Sequence, residues 1–350
     1  MNDTMRRWGR LVAVLAALTL VAAACGDDDT AGEDATGATG ATTTGGTGAT
    51  SAEPLQVALI APSATNDLAF TQSMFDALNA LKDSENLEIS VSDNLFVVDD
   101  AASAIRNYAS QGYDLVIAHG SQFGGTVEQI AADFPEVSFA WGTAGDTFGQ
   151  PNVYAYQAAS DQGGYVQGVL AAGLTESKVI GVVGPIEVGD AKLYVDGFKA
   201  GVEATDPSID VRVNYTGSFS DVGLASEAAR SFVAADADVM TGTAQMVVGA
   251  IGVATENDTA WFGTQANQTS LGPSVVVASQ VYHWEVVLTE IIDGIRGGTL
   301  GGESFAIDLA NGGEVIEYNP DYPLSADVKA AGDEAIAGIT DGTITTGVSE

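Results

Sequence analysis

The chain has 350 residues, with 12 Lys and Arg against 47 Asp and Glu, a formal net charge of −35 and 46% hydrophobic residues. That apolar share supports a large core and the length suits two domains, while so acidic a surface repels phosphate backbones and anionic lipid heads and argues against a nucleic-acid partner. The single cysteine, Cys25, excludes an internal disulfide and a cysteine-built zinc site, and two histidines far apart, His119 and His283, argue against a His-rich metal centre.

Arg6, Arg7 and Arg10 precede an uncharged apolar run of 14 residues, Leu11 to Ala24. It is short for a membrane span and suits the core of a signal peptide, residues 1–24. The run ends Val21-Ala22-Ala23-Ala24-Cys25, small residues before the lone cysteine, which resembles a bacterial lipobox. The resemblance implies thioether lipidation of Cys25, cleavage before it, and a protein held at the extracytoplasmic face of the cell membrane; an ordinary signal peptide is the alternative. Residues 25–53 then form the lipidated cysteine and a Gly/Thr/Ala-rich tether without an aromatic residue, which cannot bury enough apolar surface to fold.

From about Pro54 the pattern changes. Val57 to Ala61 reads as a buried strand ending at Pro62, residues 70–83 as a helix, and Glu88 to Val97 as an alternating strand. Ala102, Ile105, Tyr108 and Ala109 share a helical face, Asp114 to Ala118 is a third strand, Val127 to Phe134 marks a helix, and Val137 to Trp141 is a fourth strand. The design then restarts. A helix carries Val166, Val169 and Leu170, and Val179 to Val183 is a strand. Asp190 is placed to cap a helix with Leu193, Phe198 and Val202 inward, and Ile209 to Tyr215 is a strand. Asp221 is placed to cap a helix with Leu224, Ala228 and Phe232 on one face, before a strand at Asp238 to Met240. Val275 to Val281 and a helix from Trp284 to Ile295 would cross back. This is an α/β chain of two similar doubly wound parallel-sheet lobes. Lobe 1 is expected at 54–158 plus about 283–303, and lobe 2 at 159–282 plus about 304–350. Ligands of such sheets bind outside the carboxyl ends of the strands, which points to the segments 62–72, 119–123, 141–146, 184–190, 217–221, 241–246 and 263–268.

Catalytic motifs are missing from these segments. There is no Gly-x-Ser-x-Gly elbow and no glycine triplet after the first strand. Gly184-Pro185-Ile186-Glu187-Val188-Gly189 has the glycine spacing of a phosphate loop, but Asp190 and Ala191 stand where Lys and Ser or Thr belong, and Glu187 and Asp190 would repel a phosphate. Carboxylates abound without a spacing that recommends an acid and base pair for glycoside hydrolysis.

Several short motifs resemble the basic membrane protein family, the solute-binding lipoproteins of ABC importers that include purine nucleoside receptors. Asp67-Leu68-Ala69-Phe70-Thr71-Gln72 is similar to that family's Asp-x-Ser-Phe-Asn-Gln segment. Gly120-Ser121-Gln122-Phe123, Asp196 to Gly201, Gly217 to Asp221, Ala237 to Met240 and Trp261-Phe262-Gly263 follow in order, so the resemblance covers about 55–300. It implies a type I periplasmic-binding fold with a multi-strand hinge and permease and ATPase partners; with catalytic and metal-binding motifs missing, no cofactor, no metal and no enzymatic activity are expected, and the two-lobe spacing suits a monomer or a weakly associated chain. It also implies a purine-like ligand clamped between Phe70 and an opposing aromatic, Phe219; stacked rings bury large apolar area at low entropic cost. Asn66, Asp67 and Gln122 stand as polar residues that read the ring edge or serve as turn residues. Two positions depart from the family: Gln265 stands where the nucleoside receptors carry a ribose-holding Asp, and Tyr282 where they carry a Lys. With Trp284, these put amide and aromatic groups near a hinge crossing, so a free nucleobase or another flat small solute becomes a candidate beside a nucleoside. A ligand-sensing receptor of the same fold and a surface glycosidase or nucleosidase are the alternative functions.

Overall fold

Branched apolar runs alternate with amphipathic helices from Leu55 onward, and the fold follows that alternation twice. The computed structural model describes residues 53–348; the signal segment, Cys25 and the tether as far as Ala52 lie outside the described residues. Lobe 1 runs β1 (Leu55–Ile60), α1 (Phe70–Leu81), β2 (Leu87–Ser92), α2 (Val98–Ser110), β3 (Leu115–His119), α3 (Gly124–Ala131), β4 (Ser138–Gly142) and β5 (Val153–Ala158). Lobe 2 runs α4 (Ser160–Leu174), β6 (Val179–Gly184), α5 (Gly189–Thr205), β7 (Asp210–Tyr215), α6 (Val222–Val233), β8 (Val239–Gly242), α7 (Val248–Glu256), β9 (Ala260–Gln265) and β10 (Val276–Tyr282). The chain returns to lobe 1 for α8 (Glu285–Arg296) and β11 (Ser304–Ile307), then to lobe 2 for β12 (Glu314–Tyr318) and α9 (Ala326–Thr340).

The sheets share one strand order, β2-β1-β3-β4-β5-β11 and β7-β6-β8-β9-β10-β12. All pairs are parallel except β12, which runs antiparallel to β10. Central strands such as β1 and β3 are buried on both faces because helices cover both sides, so they read as continuous apolar runs. The edge strand β7 alternates exposed and half-buried residues instead. In each lobe the strand order reverses beside the first strand, at β1/β3 and β6/β8, and ligand sites of such sheets lie there.

α4 and α5 pack backbone to backbone. A Cβ on Gly197 would lie 2.2 Å from Asp161 O, and one on Gly201 2.0 Å from Tyr165 O; Gly164 and Gly168 meet α5 in the same way. The spacing of Gly197 and Gly201 thus places two small residues on one helix face, and in this chain they serve helix packing away from the cleft.

Four local expectations differ from the fold. β2 stops at Ser92, because Asp93 accepts a hydrogen bond from Thr65 N–H and Asn94 turns the chain at φ +58°. β11 pairs with β5, which carries lobe 1 through Ile307 instead of ending it near 303. Finally, Asp190 does not cap α5, whose boundary residue is Val188, and Leu224 is exposed; Asp221 does cap α6, accepting from Leu224 N–H at 3.0 Å.

Candidate functional site

The carboxyl ends of the strands enclose a cleft of about 410 Å³, counted to its open mouth. Each segment singled out from the strand ends contributes to it; Phe96 and Ala191 come from elsewhere.

Lobe 1 supplies Phe70, Phe96, Gln122 and Thr143. Phe70 opens α1 directly after the β1 loop, and its position rests on Asp67. The Asp67 carboxylate accepts from Ala69, Thr71 and Gln72 N–H at 2.9, 3.2 and 3.1 Å and from the Ser63 hydroxyl at 2.6 Å. It thereby satisfies the donors that a helix start leaves orphaned. Beneath Phe70 lies His119, the last residue of β3. The two rings stack with centroids 3.8 Å apart and 11° between planes. Nε2 of His119 is 3.1 Å from the Phe70 carbonyl, which can only accept, so Nε2 carries the proton; Nδ1 then accepts from the Tyr156 hydroxyl at 2.8 Å. The ring is fully buried, and burial outweighs the Phe70 carbonyl and lowers its pKa to about 3. His119 is therefore a neutral positioning group. Trp284 packs edge-on to both His119 and Tyr156, with centroids 5.8 and 5.3 Å apart, while the Tyr156 ring lies nearly parallel to His119 at 6.0 Å.

Lobe 2 supplies Asp190, Phe219, Gln245 and Gln265. Phe219 lies on the loop between β7 and α6, tied by Met246 N–H donating to its carbonyl at 3.1 Å. Ala244 and Gln265 follow β8 and close β9 with φ of +75° and +70°. Left-handed backbone is costly for residues with a Cβ, and such strain collects at binding sites. The two lobes touch across the cleft: Thr143 Oγ1 donates to Asp190 Oδ1 at 3.0 Å, and Gln268 Nε2 donates to Leu68 O at 3.3 Å.

Of the residues expected from sequence, Phe70, Gln122, Phe219 and Gln265 meet in this cleft. Asn66 is exposed and does not line it, and Asp67 is spent on the start of α1. Trp284 is completely buried, donating from Nε1 to Ser73 Oγ at 3.0 Å. Tyr282 is buried against Trp284 and borders a different, acidic depression with Asp76, Glu285 and Glu317. Burial, with the charges of Asp190 and Glu314 adding to it, pushes its phenol well above the ordinary value. His119, Thr143, Asp190, Phe96 and Gln245 belong to the site or its support without having been singled out as ligand residues. The turn pair Asp93-Asn94 was the available signal that Phe96 leaves the strand, and Asp190 in place of a phosphate-loop lysine was the signal at β6.

The chain matches the family described as ABC transporter substrate-binding protein PnrA-like over residues 55–343. It is 24% identical over 294 residues to a purine-binding protein of Brucella abortus, covering 83% of this chain and 82% of that one. The nucleoside-binding ABC transporter protein BmpA of Lactococcus lactis is 26% identical over 314 residues, 83% of this chain and 88% of its own. A solved ABC transporter solute-binding protein from Conexibacter woesei superposes with a TM-score of 0.69 at 26% identity, covering 83% of this chain and 98% of the other. The two lobes have the type I periplasmic-binding fold of such proteins.

Proposed function

The chain belongs to the PnrA-like family of ABC transporter substrate-binding proteins, extracytoplasmic proteins that hand a solute to a permease and its ATPase, and from that premise we propose a flat heterocyclic ligand, a purine nucleoside or nucleobase. The observation that carries this reading is the pair of phenylalanines on opposite walls of one cleft, Phe70 and Phe219. Phe70 is backed by the His119 ring, so it presents one free face, and a planar ring entering between it and Phe219 buries both of its own faces. Gln122 and Gln245 supply both donors and acceptors for the ring edge. The purine-binding and nucleoside-binding relatives support the same ligand class.

Binding proceeds by closure of the lobes, with no bond chemistry. Thr143–Asp190 and Leu68–Gln268 are contacts that a wider opening would break, so a ligand shifts the population toward the closed form by bridging the same two walls. Among cleft-lining side chains Asp190 is the one carboxylate, which leaves a glycosidase-like acid and base pair without its second member. The protein acts as a monomer, tethered to the membrane through lipidated Cys25.

Native mass spectrometry of protein purified from cells, followed by calorimetric titration with adenosine, inosine, adenine and hypoxanthine, tests the ligand class. A co-purified purine, or saturable binding of one of the four, is expected; a bound sugar or amino acid with no purine binding overturns it. For the anchor, Cys25→Ala is expected to move the protein from the membrane to the soluble fraction, and unchanged fractionation and processing would reject lipidation.

A further inference from the structure

The segment from Gly184 to Asp190 has the outline of a phosphate loop and the opposite charge. In the fold it delivers Asp190 to the lobe 2 wall, at the first turn of α5 and beside the β6/β8 reversal. A helix start normally attracts anions through its free N–H groups. Here the chain's own carboxylate already stands there. Oδ1 accepts from Thr143 Oγ1 at 3.0 Å. Oδ2 is closed off from solvent and has no hydrogen-bond partner, although parts of the residue remain accessible at the cleft. Burial pushes the carboxyl pKa up, against the Thr143 hydroxyl and the N–H groups of Ala191 and Asp190.

A second acceptor stands in the same condition. Gln265 is 4% exposed, is held in the left-handed region, and its Oε1 is buried without a donor. The cleft lining contains no Lys, Arg or His. Lys192, two residues beyond Asp190, pairs with Asp196. Two residues of the cleft lining thus carry a buried acceptor oxygen without a donor, one of them on a carboxylate, and the lining holds no cation to receive an anion. Buried acceptors of this kind are satisfied by a partner that brings donors.

We propose that Asp190 is a specificity-determining residue that accepts a hydrogen bond from an N–H or O–H of the solute, so that the cleft takes an uncharged or cationic, donor-bearing ring compound and rejects its phosphorylated form. This deepens the reading of the cleft as a purine site and rests on it. Gln265 supplies the second acceptor. No ribose is required: the donor can be a ring N–H, an exocyclic amine or a sugar hydroxyl, because the carboxylate reads the donor and not the group that carries it.

The test is calorimetry on the full chain with adenosine, inosine, adenine and hypoxanthine, together with the 5′-monophosphates of the two nucleosides and 9-methylpurine, a ring with no hydrogen-bond donor. Wild-type protein is expected to bind at least one of the four, and to bind 9-methylpurine and the monophosphates about a hundredfold more weakly or not at all. Asp190→Asn replaces an acceptor oxygen by a donor of the same shape. It is expected to weaken the preferred ligand about tenfold or more and to narrow the gap to 9-methylpurine, with a melting temperature within a few degrees of wild type. An Asn variant that binds and discriminates like the wild type overturns the proposal and leaves the purine reading standing. So does a monophosphate bound as tightly as its nucleoside. Wild-type protein that binds none of the four overturns both. Should the variant not fold, the wild-type ratio between the preferred ligand and 9-methylpurine decides, and a ratio near one rejects the role of Asp190.

Discussion

Phe70 and Phe219 line the same cleft but are held in different ways. The ring of Phe70 lies on His119, and His119 is locked between a carbonyl and the Tyr156 hydroxyl within a cluster of buried aromatics. Phe219 sits half-buried on the loop between β7 and α6, and among the described residues no ring stacks on it. The lobe 1 wall is backed by a hydrophobic core that includes Tyr156 and Trp284; the lobe 2 wall is a loop with polar neighbours, Ser218 and Ser220. A rigid face loses little freedom on binding, whereas a loop side chain costs roughly 0.5–1.5 kcal/mol to immobilise. The difference suggests a division of labour, with lobe 1 presenting a preformed platform and lobe 2 adapting to what lands on it.

The largest effect is expected from Trp284→Ala. Trp284 is fully buried and packs edge-on to His119, Tyr156 and Tyr282, so its removal should cost about 3–5 kcal/mol in urea unfolding. A cost under about 1 kcal/mol would show that the platform is not part of the core and would remove the contrast between the walls.

Phe70→Ala and Phe219→Ala sharpen the same contrast. Each should weaken a purine ligand by roughly 1–3 kcal/mol, about tenfold to over a hundredfold, by loss of stacking. Only the first should also lower the melting temperature, because only Phe70 stacks on a buried ring. Phe70→Trp and Phe70→Tyr should keep most of the binding, since a π face remains. Equal losses of stability from the two alanine variants would make the walls alike.

His119 gives a pH signature confined to lobe 1. Its folded pKa of about 3 lies below the ordinary 6.5, so between those values the unfolded chain holds a proton that the folded chain does not. Stability from this group is therefore complete above about pH 6.5 and is lost as pH falls toward 3, with a slope of at most about 1.4 kcal/mol per pH unit. Asp190 and Glu314, whose carboxyls burial pushes up, act with the opposite sign and favour the folded chain as pH falls. Comparing wild type with His119→Phe, which keeps a ring beneath Phe70, isolates the histidine. The variant should lose less stability than wild type between pH 6.5 and 4, and parallel curves would assign His119 a charged folded state.

The smallest effect belongs to Asp67→Ala. Loss of the hydrogen bonds at the start of α1 should cost about 0.5–2 kcal/mol of stability. Ligand affinity should fall only as far as Phe70 shifts. A complete loss of binding with an unchanged melting temperature would instead make Asp67 a ligand group.

Much of this molecule could be read along the chain, for a local reason. Whether a segment buries both faces, one face or one stripe is written in its apolar spacing, so β1, β3, β6 and β8 and the helices between them appear in sequence much as they fold. The position of a loop at the carboxyl end of a strand is equally local, which is why the segments carrying Phe70, Gln122, Phe219 and Gln265 could be singled out beforehand. The edge elements were harder. β11 and β12 are short, half-exposed strands whose sheet membership depends on what lies beside them.

The aromatic residues near the hinge mark the limit of sequence. Trp284 and Phe70 have similar local surroundings, an aromatic at or beside the start of an amphipathic helix, yet one is sealed against Ser73 and the other faces the cleft. The Phe70–His119 stack joins residues 49 apart in sequence, and the Thr143–Asp190 bond joins residues 47 apart in different lobes. The sequence by itself determined the α/β alternation, the two-lobe repeat, the acidic surface and which loops meet at the cleft, because each depends on residues a few positions apart. Only the tertiary structure decided which aromatics are wall and which are core, and that Asp190, a residue of the cleft lining, keeps one buried oxygen without a donor. Burial and hydrogen-bond satisfaction are properties of neighbours in space, and at this site those neighbours come from the opposite lobe or from distant strands.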